Sequence, residues 1–564
     1  MSFFPDAKHF TISGGSFTNI NHYNVQVDPQ DNLNELERSI SEGLKTLSQT
    51  AVSSASHDAE QRFPHPKCHP GTRAHVLNTL GGWIRNKSKP TSVYWLYGAA
   101  GTGKSAIAQT ISESLSTSSG LAASFFFSRT DPSGLRSTLS HFFITLAYQL
   151  AISPSSSPIL NKPITRVVYS RPDIMQASLE TQFQELIVRP CSQLSPEQLN
   201  ILPRLIVIDG WMNAAEVQPP LPFEFLICSR PEPRIRNAFR HKQFHIILDC
   251  TEISDSFQSG VDIAEYLKHE FNMIRQSHGS TMAHVAQDWP GNHIIQQLVQ
   301  RACGQFIYAS TILKYVGDYC ALPTEQLTII LNVAVPEHFG SPYPDLDLLY
   351  MLILQSAIAE QNYHLTKSIL SYIVLDAKVS YNVFPYTGSH TLPSPASKTI
   401  QCWKNPKSPA SLEILFSLDK GKVGALLFGL HSVLDISYDD DREVRMLHAS
   451  FGDFLADPKR SGRYFIDVSS GTIAEHKAFH IVRCLSITVA YILSGHFLYL
   501  TLTKFLWHNA VKQTDWYGHC MKKVKLPSKR LLDALEQIDV QGLVSYTWKL
   551  NPIENKANAL ALAT

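Results

Sequence analysis

A surplus of either charge is absent from this sequence: 49 Lys and Arg face 48 Asp and Glu, leaving a formal net charge of +1. That balance argues against nucleic-acid coating as the main task. Cysteine is scarce, nine among 564 residues, and no CxxC pair occurs, which excludes a disulfide scaffold and a zinc ribbon. The scattered cysteines read as small buried hydrophobes. No G-x-S-x-G is present, so hydrolase chemistry built on a nucleophile elbow has no support. Self-similarity at a period of about 20–50 residues is missing too, which excludes WD40, ankyrin and TPR arrays. Met1–Asp6 carries no basic segment before an apolar stretch, so the expected address is a reducing, cytoplasmic one. One charge-free stretch, between Arg483 and Lys504, has the length of a membrane span of about 20 residues. Ser486, Thr488, Ser494, Gly495, His496, Thr501 and Thr503 dilute it, and only Leu485–Leu493 is densely apolar. It therefore reads as a buried helix.

What is present is ample apolar material, 44% of the chain against 17% charged residues, in a length that predicts roughly three to five domains. Phe10–Val27 alternates apolar and polar residues around two glycines, which reads as a capping hairpin rather than an assembly motif. Asn32–Gln49 carries Leu33, Leu36, Ile40, Leu44 and Leu47 at helical spacing, and Ser53–Asp58 looks like a linker. From Pro64 to about Asp249, short apolar runs alternate with helical periods. Strands are expected at Val93–Tyr97, Ala122–Phe127, Leu205–Ile208, Phe223–Cys228 and Phe244–Leu248, with helices over Ala106–Leu115 and Leu135–Leu150. Such alternation predicts a parallel sheet flanked by helices. After about Val261 helical periods dominate, over His293–Val316 and Leu346–Ile373. Asn382–Ser411 reads as a long loop. Val423–Leu434, Val444–Leu447 and Tyr464–Val468 suggest a small unit of helix and hairpin, followed by more helix.

Gly98-Ala99-Ala100-Gly101-Thr102-Gly103-Lys104-Ser105 fits G-x-x-x-x-G-K-[ST] in full, entered by a strand and left by a helix. Glycines let main-chain N–H groups close around phosphate oxygens, and the helix N-terminus adds its positive end. Lys104 brings a cation to the β- and γ-phosphates, and the Ser105 hydroxyl suits Mg²⁺. Four apolar residues then lead to Asp209 at a strand tip, the Walker-B arrangement for holding Mg²⁺. Arg230, in Cys228-Ser229-Arg230-Pro231, follows the next strand and is placed to sense a γ-phosphate.

With these residues in hand, the chain resembles a fungal NACHT-type STAND NTPase of the NOD-like receptor kind, in the group whose nucleotide domain is nephrocystin-3-like. The marks are His69-Pro70-Gly71-Thr72-Arg73, GAAGTGKS, LIVIDG at Leu205–Gly210, CSRPEPRIR at Cys228–Arg236, Cys303–Ala309, and LHASFGDFL at Leu447–Leu455. The resemblance implies an α/β P-loop NTPase domain followed by helical and winged-helix domains. No C-terminal repeat array is expected after them, a departure from the family's pattern. It divides the chain at 1–60, 61–260, 261–345, 346–470 and 471–564. It also implies that His448 touches the β-phosphate of ADP, and that Thr72 and Arg73 flank adenine and ribose. ATP or ADP with Mg²⁺ is the implied ligand, with GTP left open. The implied partners are further copies of the chain on activation and a protein effector, without nucleic acid or a membrane span. The sequence departs from the family's D-G-x-[DE]-[DE] at Met212 and Asn213, so slow or absent hydrolysis is expected. A hydrolysis-deficient scaffold is the alternative.

Two further groupings carry less. His65, Cys68 and His69 lie close together, but no second ligand pair stands at zinc-finger spacing, and Pro66 and Pro70 impose loop geometry. Asp439–Asp441 reads as a solvated hairpin tip.

Overall fold

Four apolar runs and one half-polar run build a five-stranded parallel sheet in the computed structural model, in the order β2-β3-β4-β1-β5. The structure describes residues 29–128, 131, 134–210, 222–253, 257–332, 341–375, 405–436, 442–493 and 529–536. The strands are β1 (Val93–Gly98), β2 (Leu121–Phe126), β3 (Leu205–Asp209), β4 (Glu224–Ser229) and β5 (Leu248–Ile253). Neighbouring residues of a strand face opposite sides, and here both sides are apolar, as a parallel sheet covered by helices requires. Trp95, Phe125, Ile206, Ile208, Phe225 and Ile227 face one core. Tyr94, Leu96, Leu205, Val207, Leu226 and Cys228 face the other.

Helices α1 (Pro29–Thr50), α4 (Phe142–Ile152) and α5 (Ser157–Ser170) cover the first face, and α2 (Ala74–Arg85) and α3 (Lys104–Thr117) the second. The fold expected for this region, a parallel sheet flanked by helices and followed by helical domains, is the one observed. The helix expected over Asn32–Gln49 lies within α1. Its Leu47 is fully buried, together with Val52 and Ala55 just beyond it. The Ser53–Asp58 linker is therefore a correction: its Ala55 belongs to the sheet's core, and His57 N–H donates to the Ser124 hydroxyl at 3.0 Å.

Two further element boundaries differ from expectation. The fifth strand starts at Leu248, where the expected one ends, because Phe244 belongs to a 3₁₀ turn and packs edge-on against Phe239. β5 is an edge strand with one half-wet face, so its sequence LDCTEI lacks the apolar run that marks an interior strand. The helix expected from Leu135 begins only at Phe142. The preceding loop is held instead by the buried Arg136–Asp131 ion pair at 2.9 Å.

A third core, largely helical, runs from Ile263 to Ile466. The period over His293–Val316 is two helices, Asn292–Ala302 and Phe306–Val316, broken where Cys303 and Gly304 adopt positive φ. That over Leu346–Ile373 is likewise two, Pro344–Ala357 and Tyr363–Val374. Pro409, inside the stretch expected as a loop to Ser411, starts the helix Pro409–Phe416. A two-stranded antiparallel hairpin, β6 (Leu434–Asp435) with β7 (Arg445–Met446), leads into the helix Ala449–Leu455. Phe10–Val27, Asp439–Asp441 and most of Asn382–Ser411 lie outside the described residues. Leu485–Leu493 ends the helix Ser470–Leu493, and no described helix is long and apolar enough to cross a membrane.

Helix α1 meets α5 closely at Gly43, where a Cβ would stand 2.4 Å from the Thr165 carbonyl oxygen. Gly82, inside α2, has nothing within 4 Å of such an atom. Gly43→Ala is therefore expected to destabilise by about 1–3 kcal/mol through overpacking. Gly82→Ala should stabilise by about 0.5–1 kcal/mol. Urea denaturation of the two variants reads both signs.

Candidate nucleotide-binding site

The carboxyl ends of β3, β4 and β1 lie side by side, because Asp209 pairs with Cys228, and Ser229 with Tyr97. Ligands of such sheets sit beyond these ends. There Gly98–Ser105 turns the chain from β1 into α3. Each glycine has a separate reason. A Cβ on Gly98 would stand 2.4 Å from the Ile253 carbonyl oxygen, and Gly101 and Gly103 hold φ of +78 and +91. Ala99, Ala100, Gly101, Gly103, Lys104 and Ser105 stay partly accessible, whereas Thr102 is buried with its hydroxyl donating to the Ala99 carbonyl at 3.1 Å. No side chain caps the start of α3, so its first N–H groups face the turn without a side-chain acceptor.

Lys104 Nζ donates to the carbonyls of Gly98 at 2.9 Å and Ala99 at 2.6 Å. Burial lowers its ammonium to about 8, against the opposing pull of Asp209. Asp209, buried at the tip of β3, accepts from the Ser105 hydroxyl, and burial pushes its carboxyl up despite Lys104 and Arg62 nearby. A hydroxyl and a carboxylate in contact beside a phosphate cradle form the oxygen donor set that suits Mg²⁺. These residues fit a nucleoside polyphosphate with its metal.

Two groups come from far along the chain. Arg230 Nη1 pairs with Asp453 Oδ2 at 2.7 Å, joining the tip of β4 to the helix Ala449–Leu455. His448 caps that helix, with Nδ1 accepting from the Ser450 N–H at 3.1 Å and lying 2.7 Å from the Ser450 hydroxyl. That hydroxyl also meets Tyr350 Oη at 2.7 Å. Because Nδ1 accepts a main-chain N–H, the neutral ring carries its proton on Nε2. Burial lowers the His448 ring to about 4, aided by the charges of Arg230 and Lys104. His448, far along the chain from the turn, thus presents a neutral N–H donor within the field of Lys104.

Thr72 and Arg73 are committed inside the protein. The Thr72 hydroxyl donates to the His69 carbonyl at 2.7 Å. Arg73 reaches the Thr102 carbonyl at 2.7 Å and the Ser259 hydroxyl at 2.9 Å, and its guanidinium lies 4.8 Å from the centre of the Phe306 ring. Both residues are buried, and Arg73 supports the turn through the Thr102 carbonyl.

Three contributors escaped the sequence reading. Arg62 places a cation near Asp209 while stacking 3.7 Å from the centre of Phe126, and burial lowers it to about 10. Ile307 donates its N–H to the Gly101 carbonyl at 3.2 Å, and its side chain would stand 2.2 Å from a Cβ on Gly101. Cys303–Ala309 forms a recognisable pattern in the sequence, but nothing local to it names the turn that it seals. Asp453 was likewise visible only as a motif letter, without its partner.

Strand, phosphate turn, capless helix and strand-tip acid together define a nucleotide-binding fold of the P-loop class. The family described as Nephrocystin 3, N-terminal, matches residues 71–230, the segment that contains the turn, Asp209 and Arg230. No curated protein matches the chain. Among solved structures, "Structure of Drosophila ORC bound to AT-rich DNA and Cdc6" aligns at 10% identity over 94% of this chain and 78% of that one. Its TM-score of 0.19 is too low to carry an argument.

The low value for Lys104 sets a pH dependence. The free protein loses this charge as pH rises through about 8, whereas a bound anion retains it, so binding takes up a proton above that point. Nucleotide affinity is expected to be flat just below pH 8, then to fall by about tenfold per pH unit up to the bound-state value. Lys104→Arg, which keeps its charge, should flatten the fall; calorimetry across this range checks it.

Proposed function

We propose that the chain is a nucleotide-operated switch of the NACHT STAND type, using ATP and ADP, with GTP as the variant ligand. What supports this reading is the junction at the turn, where Arg230 pairs with Asp453 and His448 shares the field of Lys104. In the ADP form, the Nε2–H of His448 and Lys104 grip the β-phosphate from two domains. Ser105 and Asp209 would hold Mg²⁺, and Arg230 stays with Asp453. A γ-phosphate competes with Asp453 for Arg230. Both partners of that ion pair are about a third exposed, 31% and 33%, so it contributes no more than about 0–1 kcal/mol. A charge-assisted hydrogen bond to phosphate is worth about 1.5–3 kcal/mol, enough to draw Arg230 away. Reversing a 1:99 equilibrium needs about 5.5 kcal/mol, so Arg230 cannot act alone and the loss of the His448 contact must add to it.

The units we assign to this switch are 61–260 for the nucleotide domain, 261–345 for a helical domain and 346–470 for a winged-helix-like domain. Residues 1–60 and 471–564 flank them. The setting is cytoplasmic, in fungal innate immunity or self/non-self recognition, on the strength of the resemblance. Release of the 346–470 unit would expose surfaces for further copies of the chain and for a protein effector. A second reading, a hydrolysis-deficient scaffold, is favoured by Met212 and Asn213, where paired acids would otherwise polarise water.

Thermal melting with Mg-ADP at about 100 times its Kd should show about 2.7 kcal/mol of added stability, lost in Lys104→Ala. His448→Ala should weaken ADP more than ATP, and Asp453→Asn should favour ATP by freeing Arg230. Absence of any nucleotide effect on melting would leave only the scaffold reading. Equal losses for both nucleotides in His448→Ala would refute the lock.

A further inference from the structure

Outside the phosphate site, His69, His269 and Glu270 bring three donor atoms within 4.8 Å of one another. His69 belongs to the segment before α2. His269 and Glu270 lie on the helix Phe257–Ser277, 200 residues later. His69 Nε2 is 3.0 Å from His269 Nδ1, His269 Nδ1 is 3.2 Å from Glu270 Oε1, and His69 Nε2 is 3.8 Å from the same oxygen.

The tautomers follow from what each atom faces. His69 Nδ1 lies 2.9 Å from the Pro70 carbonyl, which only accepts, so Nδ1 carries the proton and Nε2 offers a lone pair. A main-chain carbonyl on the far nitrogen is also how a metal-ligating histidine is usually oriented. In the neutral pair, the proton on His269 Nδ1 then points between the Nε2 lone pair and the Glu270 carboxylate. Two acceptors converge on one proton.

We propose that these three residues form a site for a divalent transition metal, zinc being the ion that fits best. Three donors about 2.0–2.1 Å from a tetrahedral zinc stand about 3.3–3.4 Å from one another, and the three separations here bracket that value. Two imidazoles with one carboxylate suit zinc and disfavour magnesium or calcium, which take oxygen. The fourth position belongs to water, since the His269 and Glu270 side chains are 51% and 34% exposed. On binding, the His269 proton passes through solvent from Nδ1 to Nε2, so a neutral ring stays neutral and the two electrons of Nδ1 go to the metal. The Tyr266 ring, 5.4 Å from that of His69, walls one side.

The placement gives the metal a consequence. Thr72 and Arg73 come shortly after His69, past Pro70 and Gly71, and Asp262, on the same helix as His269, accepts the Arg73 N–H at 3.1 Å. A bound zinc would staple the two segments that hold the phosphate turn from behind.

The test uses the full chain, stripped with a chelator. Zinc titrated by calorimetry should bind at one equivalent, and cobalt should give the intense visible bands of a tetrahedral site. His269→Ala, at a half-exposed position, should weaken zinc by more than the roughly 10–100-fold that loss of an outer partner costs. Glu270→Gln should weaken it as well, while His65→Ala and His75→Ala leave it unchanged. Lys104→Ala should keep its zinc, and His269→Ala should keep its nucleotide, which separates this site from the phosphate site. No zinc heat with the unaltered chain, unchanged zinc binding in a correctly folded His269→Ala, or a weak octahedral cobalt spectrum would each overturn the proposal.

Discussion

One guanidinium holds the phosphate turn in place. Arg73 sits at the start of α2 with φ of 57, a left-handed conformation that costs a non-glycine residue about 1–2 kcal/mol. The backbone is kept there because its N–H donates to Asp262, and the side chain reaches past it to the Thr102 carbonyl and the Ser259 hydroxyl. The turn, the helix Phe257–Ser277 and the Phe306 ring are thereby fixed relative to one another. Gly101 closes the arrangement from the front, pressed against Ile307 with no room for a methyl group. The phosphate turn is consequently a shared surface of the sheet domain and the helical region, and a change of shape on either side reaches the other.

A second connection runs from β4 into the last part of the helical core. The Arg230–Asp453 ion pair stands at the strand tips, and a separate run of polar contacts from His448 through Ser450 to Tyr350 leads into the buried ring cluster of Tyr350, Phe451 and Phe454. The hairpin adds to it, with Arg442 and Arg445 donating to the carbonyls of Phe63 and Gln61. These contacts are polar and individually weak, whereas the cores on either side are apolar and dense.

Much of this was legible in the sequence because the signals were local. The eight residues Gly98–Ser105 specify strand, turn and helix within one short stretch, and apolar runs marked four strands close to their true limits. β5 escaped because an edge strand has one dry face and so no continuous apolar run. The start of α4 escaped because a buried ion pair, Asp131 with Arg136, took the place of a helical turn. Pairings across the chain had no signal at all. Nothing near Arg230 names Asp453, and His69 was weighed against His65 and Cys68, its neighbours in sequence. His65 instead contacts the Ala59 carbonyl and the Cys68 thiol is half-buried against the core, while the true companions of His69 stand 200 residues away.

The half-polar rim of the sheet carries a further consequence. Among the described residues β5 ends the sheet, and an uncovered strand edge invites another chain to add itself there. Asp249 and Glu252 lie along that rim, Glu252 exposed, so two such edges brought together would set carboxylates against carboxylates. Two copies of this edge would therefore repel one another, which disfavours extension of the sheet from molecule to molecule along the β5 side.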